Sequence, residues 1–338
     1  MYETYYGLAG KPFQLNPDPA FYFASRGHKR AFAYLQYGLH QSEGFIIITG
    51  EIGAGKTTLI RNLLEQVDPA QLVAAQLVST QLDADDLLRS VATAFGVPAT
   101  AVDKARLLAE LEAFLVSLVL QRKRALLIVD EAQNLSPRAV EELRMLSNFQ
   151  LGNQGLLQSF LVGQPELRTL MQGPQMQQLR QRVIASYHLG PMDKAETRAY
   201  VEHRLRHVGW RDHPRFEPGA FDTIYAFSAG IPRQINTLCN RLLLAACLSE
   251  MQTIDAAHVQ SIVDEITIEL SGRGATAEGF PESGSTSSDD EPETATSAFR
   301  LDARIARLER AMSSVLKFLQ PAARRFAAES SAKRAEDR

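Results

Sequence analysis

Cysteine is nearly absent from the sequence: the 338 residues hold two, Cys239 and Cys247, eight positions apart on a predicted helix. That excludes a disulfide framework, and the spacing offers no zinc site, so a reducing compartment is expected. His203, His207 and His213 share no ligand spacing with acids or cysteines and are read as structural or exposed. No apolar run approaches the roughly 18 residues that cross a bilayer. Met1-Tyr2-Glu3-Thr4-Tyr5-Tyr6 has neither the basic segment nor the apolar core of a signal peptide, so a cytoplasmic location is expected. A large positive charge is missing too. The net charge of −3 argues against a surface that coats nucleic acid, leaving only local basic patches. What remains, 45% apolar and 22% charged residues, suits a globular protein of two or three domains, or one large domain with an added lobe.

Against that ordinary background one stretch stands out. Gly44-Phe45-Ile46-Ile47-Ile48-Thr49 is a short apolar run that reads as a buried strand. It feeds Gly50-Glu51-Ile52-Gly53-Ala54-Gly55-Lys56-Thr57-Thr58, the phosphate-loop pattern, and then Leu59-Ile60-Arg61-Asn62-Leu63-Leu64 with helical spacing. Glycines let successive backbone N–H groups converge on phosphate oxygens, and the helix N-terminus adds partial positive charge there. Lys56 is expected on the β- and γ-phosphates and the Thr57 hydroxyl on Mg²⁺.

The chain upstream, Tyr2 to Asn16, reads as loop, and a helix is predicted from Arg26 to Gln41. Tyr22, Phe23 and Arg26 are candidates for an adenine pocket; packing of the helix onto the sheet is the other reading of these aromatics. Downstream, Leu72–Val78 reads as a second strand, and helices follow through Leu87-Leu88-Val91 and from Asp103 through Leu118. Ala125-Leu126-Leu127-Ile128-Val129 then delivers Asp130 and Glu131 to the C-terminal edge of a strand, where ligands bind in open α/β sheets. Asp130 is expected to hold Mg²⁺ and Glu131 to polarise an attacking water.

Ser136-Pro137 starts a further helix. Leu156–Val162 makes a fourth strand ending in Gly163 and Gln164, where the amide can orient the water. Val183–Leu189 makes a fifth, preceded by Arg180 and Arg182. Arg182 is the candidate finger for a neighbouring subunit's γ-phosphate, with Arg180 as the substitute; a helix-end arginine neutralising nearby carboxylates is the competing reading.

From Asp193 onward the alternation with strands stops. Helices are predicted at Lys194–Val208, Pro218–Ser228, Pro232–Leu248 and Asp255–Leu270, a helical lobe. Pro232 at a helix start puts Arg233 in the first turn, positioned to sense β- or γ-phosphate or simply to be solvated or ion-paired. Residues 271–297 shift to Gly, Ser, Thr, Pro, Glu and Asp, the composition of a disordered acidic linker. Beyond it Leu301, Ile305, Leu308, Met312, Val315 and Leu319 step by 4, 3, 4, 3, 4, a heptad seam flanked by basic residues. The seam favours self-association or a partner helix, and a basic amphipathic helix on an anionic membrane is the competing reading.

The order of these motifs resembles the AAA+ ATPases, in particular those similar to general secretion pathway protein A. Several strings resemble the subfamily encoded beside exosortase (PEP-CTERM) and exopolysaccharide genes. They are Ser25-Arg26-Gly27-His28-Lys29-Arg30-Ala31, Ile128-Val129-Asp130-Glu131-Ala132-Gln133-Asn134-Leu135, Leu143-Arg144-Met145-Leu146-Ser147-Asn148-Phe149, Gly163-Gln164-Pro165-Glu166-Leu167 and Gly230-Ile231-Pro232-Arg233-Gln234-Ile235-Asn236. The resemblance implies an α/β, three-layer P-loop NTPase fold with a five-stranded parallel sheet of order 5-1-4-3-2, a helical lid and a separate C-terminal helix. The boundaries expected are 1–191 for the nucleotide-binding domain, 192–270 for the lid, 271–297 for the linker, 298–322 for the amphipathic helix and 323–338 for a disordered tail. It implies ATP and Mg²⁺ as cofactors, Lys56, Thr57, Asp130 and Glu131 in the roles above, Gln164 as first sensor and Arg233 as second. A nucleotide-dependent homo-oligomer is expected, working on envelope secretion or polysaccharide export proteins from the cytoplasm or the inner face of its membrane. A DNA-dependent ATPase and a nucleotide-switched scaffold are the alternatives; nucleic acid is disfavoured by the acidic linker and the modest charge.

Overall fold

The structure is a computed structural model that describes residues 1–16, 18–41, 43–78, 83–99 and 103–274. Met1–Thr276 forms one compact unit. The last helix of the lobe runs to Gly274, four residues into the segment expected to be linker, since its backbone bonds continue past the last apolar residue. The rest of the linker, the heptad seam and the tail lie outside the described residues.

Five parallel strands make the main sheet: β1 (Phe45–Gly50), β2 (Leu72–Val78), β3 (Arg124–Asp130), β4 (Leu157–Gly163) and β5 (Val183–Leu189). Their spatial order is β2-β3-β4-β1-β5, which is the expected 5-1-4-3-2 order read from the other edge. Burial follows position in the sheet. The central strands β1 and β4 are buried at every residue and β3 at all but its first, because helices cover both faces. Edge strand β2 instead alternates buried with exposed residues.

Helix α1 (Tyr2–Tyr6) precedes the sheet, followed by α2 (Arg26–Gln41) and, after β1, α3 (Lys56–Gln66). Leu35, Leu39, Leu59 and Leu63 from α2 and α3 pack on one face against Ile46, Ile48, Ile128, Phe160 and Val162. On the other face lie α4 (Ala84–Ala94), α5 (Lys104–Leu120) and α6 (Pro137–Leu146), whose Leu88, Leu111, Leu115 and Leu143 meet Ile47, Leu127, Val129 and Leu161. The result is a three-layer P-loop NTPase sandwich. After α6 the chain adds α7 (Glu166–Gln172) and α8 (Gln177–Arg180) before β5.

The helical lobe is α9 (Lys194–His207), α10 (Pro218–Ser228), α11 (Pro232–Leu248) and α12 (Ala256–Gly274). α9 starts with a capping box, in which Asp193 accepts from the Glu196 backbone and Glu196 answers at the Asp193 N–H. The segment read as N-terminal loop is a finding against expectation. Tyr2–Tyr6 is helical, and Tyr2, Tyr6, Leu8 and Phe13 are buried among Tyr200, Leu205, Leu238 and Leu242 of the lobe. Tyr2 donates to Asn240 Oδ1 at 2.8 Å and Tyr6 to the Met251 carbonyl at 3.0 Å. Five residues are too few to show helical periodicity; tertiary burial of two tyrosines supplies what local propensity cannot.

Candidate functional site

Because the strands are parallel, their C-terminal ends share one edge. Thr49 is in register with Gly163, and Val78 with Asp130, so the loops after β1, β3 and β4 converge. The loop after β1 turns on Gly53 (φ 83°) and Gly55 (φ 94°), a left-handed backbone region in which a side chain is strained. Space is as restrictive as torsion. A Cβ on Gly53 would lie 2.2 Å from Arg233 Cβ, and one on Gly55 would lie 2.8 Å from His28 Nε2.

Lys56, the first residue of α3, is buried and donates from Nζ to the carbonyls of Gly50 at 2.7 Å and Glu51 at 3.0 Å. Burial lowers its pKa from the ordinary lysine value, while Glu131, Asp130, Glu51 and Glu166 pull the other way. The ammonium is thus aimed along the loop by its own backbone. Thr57 Oγ1 donates to Asp130 Oδ2 at 3.0 Å. A hydroxyl and a buried carboxylate meeting at a phosphate loop are the hard oxygen donors that Mg²⁺ takes, usually beside several retained waters, so these residues fit that ion.

Glu131 sits at φ 53°, its N–H bonded to Asp130 Oδ1 at 3.0 Å. Its Oε2 accepts from Gln133 Nε2 at 2.6 Å and from Gln164 Nε2 at 3.1 Å. Burial opposes ionisation of this carboxyl. The two amides and the charge of Lys56 outweigh it and hold the pKa below the ordinary glutamate value. Asp130, Glu131 and Gln164 are therefore brought together as their sequence positions imply.

Arg233 arrives from the lobe. It is exposed, it lines the same cleft as Lys56, Thr57 and Glu131, and its backbone N–H donates to the Gly53 carbonyl at 3.2 Å. The cleft has a volume of about 420 Å³. Ile52, Gly53, Gly55 and Thr58 line it; Gly50, Glu51 and Ala54 of the same loop do not. Of the adenine candidates, Tyr22 and Phe23 line it and Arg26 does not. Arg26 is instead drawn to the acidic start of α9, pairing with Asp193 and with Glu196.

Arg182 is not brought to this cleft. Val183 is in register with Phe45, which puts Arg182 at the N-terminal edge of the sheet, opposite the loop. Its Nη1 donates to the Ser147 carbonyl at 2.9 Å and to Ser147 Oγ at 3.3 Å. Arg180 is exposed and donates to the carbonyls of Met171 and Gly173.

Three site residues carry no signal that spacing alone would reveal. His28 is buried beneath the phosphate loop, with Nδ1 2.7 Å from Ser25 Oγ, and its ring also bonds the Ala54 backbone. Gln133 bridges Glu131 and the Gln164 backbone. Arg204 is buried, donating to the Pro12 and Gln14 carbonyls and to Tyr200 Oη, so a lobe helix holds the segment that walls the cleft. His28 and Gln133 lie inside the quoted strings, Ser25-to-Ala31 and Ile128-to-Leu135, that carry the family resemblance. No sequence pattern marks Arg204.

Residues 39–171 match the AAA domain family. Over 247 residues, 73% of this chain, the sequence is 40% identical to General secretion pathway protein A of Aeromonas hydrophila. The chain covers 45% of that relative and so spans less than half its length. Among solved structures it is similar to the Aeropyrum pernix ORC1 protein in complex with DNA, with a TM-score of 0.56 at 18% identity over 76% of this chain and 69% of that one. It is also similar to Drosophila ORC bound to DNA, with a TM-score of 0.56 at 16% identity over 75% and 63%. A third is the Aeropyrum pernix ORC2 protein in ADPNP-ADP complexes, with a TM-score of 0.52 at 18% identity over 71% and 66%. At such identities the likeness is one of fold.

Proposed function

The chain carries an AAA domain on the P-loop NTPase fold of the AAA+ type, and on that premise we propose that it hydrolyses ATP to drive movement between the sheet and the helical lobe. One observation carries the reading. A single cleft holds a phosphate loop, a water-activating carboxylate fixed by a sensor amide, and an arginine from the lobe seated on the loop itself. Lys56 and the loop N–H groups bind and neutralise the phosphates. When bound at Thr57 and Asp130, Mg²⁺ would offset charge on the phosphate oxygens. Glu131 keeps Oε2 on the two amides, and among the described residues Oε1 has no hydrogen-bond partner, which leaves it to take the proton of an attacking water. Loss of the γ-phosphate would remove the anion that draws Arg233 toward the loop, and α11 moves with that residue.

The similarity to General secretion pathway protein A supports action on a secretion assembly. Polysaccharide export proteins as partners, a nucleotide-dependent oligomer and an Arg182 that reaches a neighbouring subunit are parts of the same proposal. Among the described residues no helix is long and apolar enough to cross a membrane. The test is ATP turnover and nucleotide binding for the wild type, Lys56→Ala and Glu131→Gln, each with and without duplex DNA. Lys56→Ala is expected to lose ATP binding. Glu131→Gln is expected to bind ATP and lose about 10²-fold or more in turnover. Undiminished turnover in Glu131→Gln would remove the carboxylate from its role. A salt-sensitive stimulation by DNA would favour a DNA-dependent ATPase instead.

A further inference from the structure

The side-chain amide of Gln133 spans two elements of the site. Nε2 donates to Glu131 Oε2 at 2.6 Å, and Oε1 accepts the backbone N–H of Gln164 at 3.0 Å. Gln164 Nε2 reaches the same Glu131 oxygen at 3.1 Å, so the three residues close a ring of hydrogen bonds. The fit is tight. A Cβ on Gly163, the last residue of β4, would stand 2.6 Å from Gln133 Oε1 and 3.4 Å from the Gln133 backbone nitrogen. The ring also settles an otherwise loose choice, because Glu131 leaves β3 at φ 53° and its side-chain direction is not inherited from the strand.

The geometry points to Gln133 as the positioning residue that aims the Glu131 carboxylate and ties it to the end of β4. This rests on the hydrolytic reading of the site. With Oε2 taken up by two amides, the carboxylate is fixed about one oxygen and presents the other to the cleft, as directed proton transfer requires. Because the Gln164 backbone is part of the ring, a displacement of the sensor end of β4 reaches Glu131 through the two hydrogen bonds of the Gln133 amide. Gln133 therefore reports the state of the sensor to the base.

The charged groups facing this carboxylate are Asp130 on its own strand, Lys56 on α3, with Glu51 and Glu166 around that lysine, and Arg233 across the cleft on α11. Replacing Gln133 alters none of them. It removes one of the two amides that hold Oε2, so the carboxylate is no longer fixed about that oxygen.

The test uses the full chain as wild type, Gln133→Ala and Gly163→Ala; the second variant crowds the Gln133 amide and leaves every polar atom in place. Both are expected to lose about 10- to 100-fold in kcat with ATP binding kept, and Gln133→Ala is expected to cost no further turnover in a Glu131→Gln background. The ¹³Cδ shift of Glu131 at one fixed neutral pH, read in ¹³C-glutamate protein and assigned against Glu131→Gln, needs no turnover and is expected to change in Gln133→Ala. An unchanged kcat with an unchanged Glu131 shift would overturn the proposal, as would a full further loss in the Glu131→Gln background. So would a loss of turnover matched by an equal loss of ATP binding, which marks a role in folding alone. A wild type that binds ATP without turning it over, with the Glu131 ¹³Cδ shift still changed in Gln133→Ala, would sink the hydrolytic reading and leave the positioning role standing.

Discussion

His28 shows how a buried titratable side chain can set the operating range of a phosphate loop. Burial lowers its pKa below the ordinary histidine value, opposed by its bond to the Ala54 backbone and by Glu196. The unfolded chain therefore takes up a proton on this residue at a higher pH than the folded one does. Stability is retained above the unfolded value, about 6.5, and lost as the pH falls below it toward the folded value. We expect the thermal midpoint of the wild type to drop between pH 7 and pH 5.5 and that of His28→Gln to drop less. His203, which burial also shifts downward, leaves a residual slope. Equal slopes in a thermal melt series would separate His28 from acid sensitivity. The same ring lies 2.8 Å from where a Gly55 Cβ would be, so its charge state bears directly on the loop that meets the phosphates.

At the scale of elements, the strands were legible and the connections were not. Leu72–Val78 and Val183–Leu189 are the observed limits of two strands, because unbroken apolar runs between turn residues leave a chain few other choices. Pro232–Leu248 was equally clear from its proline start. Lys56, Thr57, Asp130 and Glu131 could be placed by their order along the chain, since parallel strands bring their C-terminal ends together. Arg26 was misplaced because sequence proximity to the loop says nothing about the two acids at the start of α9 that attract it. Gln133 and Arg204 were missed because an amide or a guanidinium acquires its role only from what it reaches across space. Arg204 is the case with energetic weight. Its guanidinium lies over the Phe21 ring at 4.7 Å and bonds the backbone of Pro12 and Gln14, joining α9 to the cleft wall. Arg204→Met keeps the bulk and removes the bonds. It should destabilise the protein by about 2–4 kcal/mol and weaken ATP binding about tenfold, with Lys56 contacts untouched. Calorimetric unfolding and nucleotide titration read the two effects. Unaltered ATP affinity in a folded Arg204→Met would make the wall irrelevant to the base.

At the scale of the molecule, Arg182 marks a face that the nucleotide cleft of the same chain does not use. Its place at the far edge of the sheet keeps it from its own chain's cleft, and there it bonds Ser147. If it acts in trans, Arg182→Ala should retain ATP binding and lose about 10³-fold in turnover, and mixing it with Glu131→Gln subunits should restore activity. Turnover assays across mixing ratios make the check; no restoration would confine Arg182 to its own chain. The lobe has a further consequence, for biosynthesis. Tyr2 and Asn240 are bonded across 238 positions of sequence, and Phe13 shares a core with Leu238 and Leu242. A growing chain can therefore assemble its sheet and phosphate loop while the Tyr2–Phe13 segment still waits for α11. Closing so distant a contact is slow relative to local folding. The wall of the cleft is among the last parts to form, so a chain stalled before α11 would hold the catalytic acids without a finished nucleotide pocket. Along the chain the acids Asp130 and Glu131 thus precede the helices that complete the cleft wall beside them.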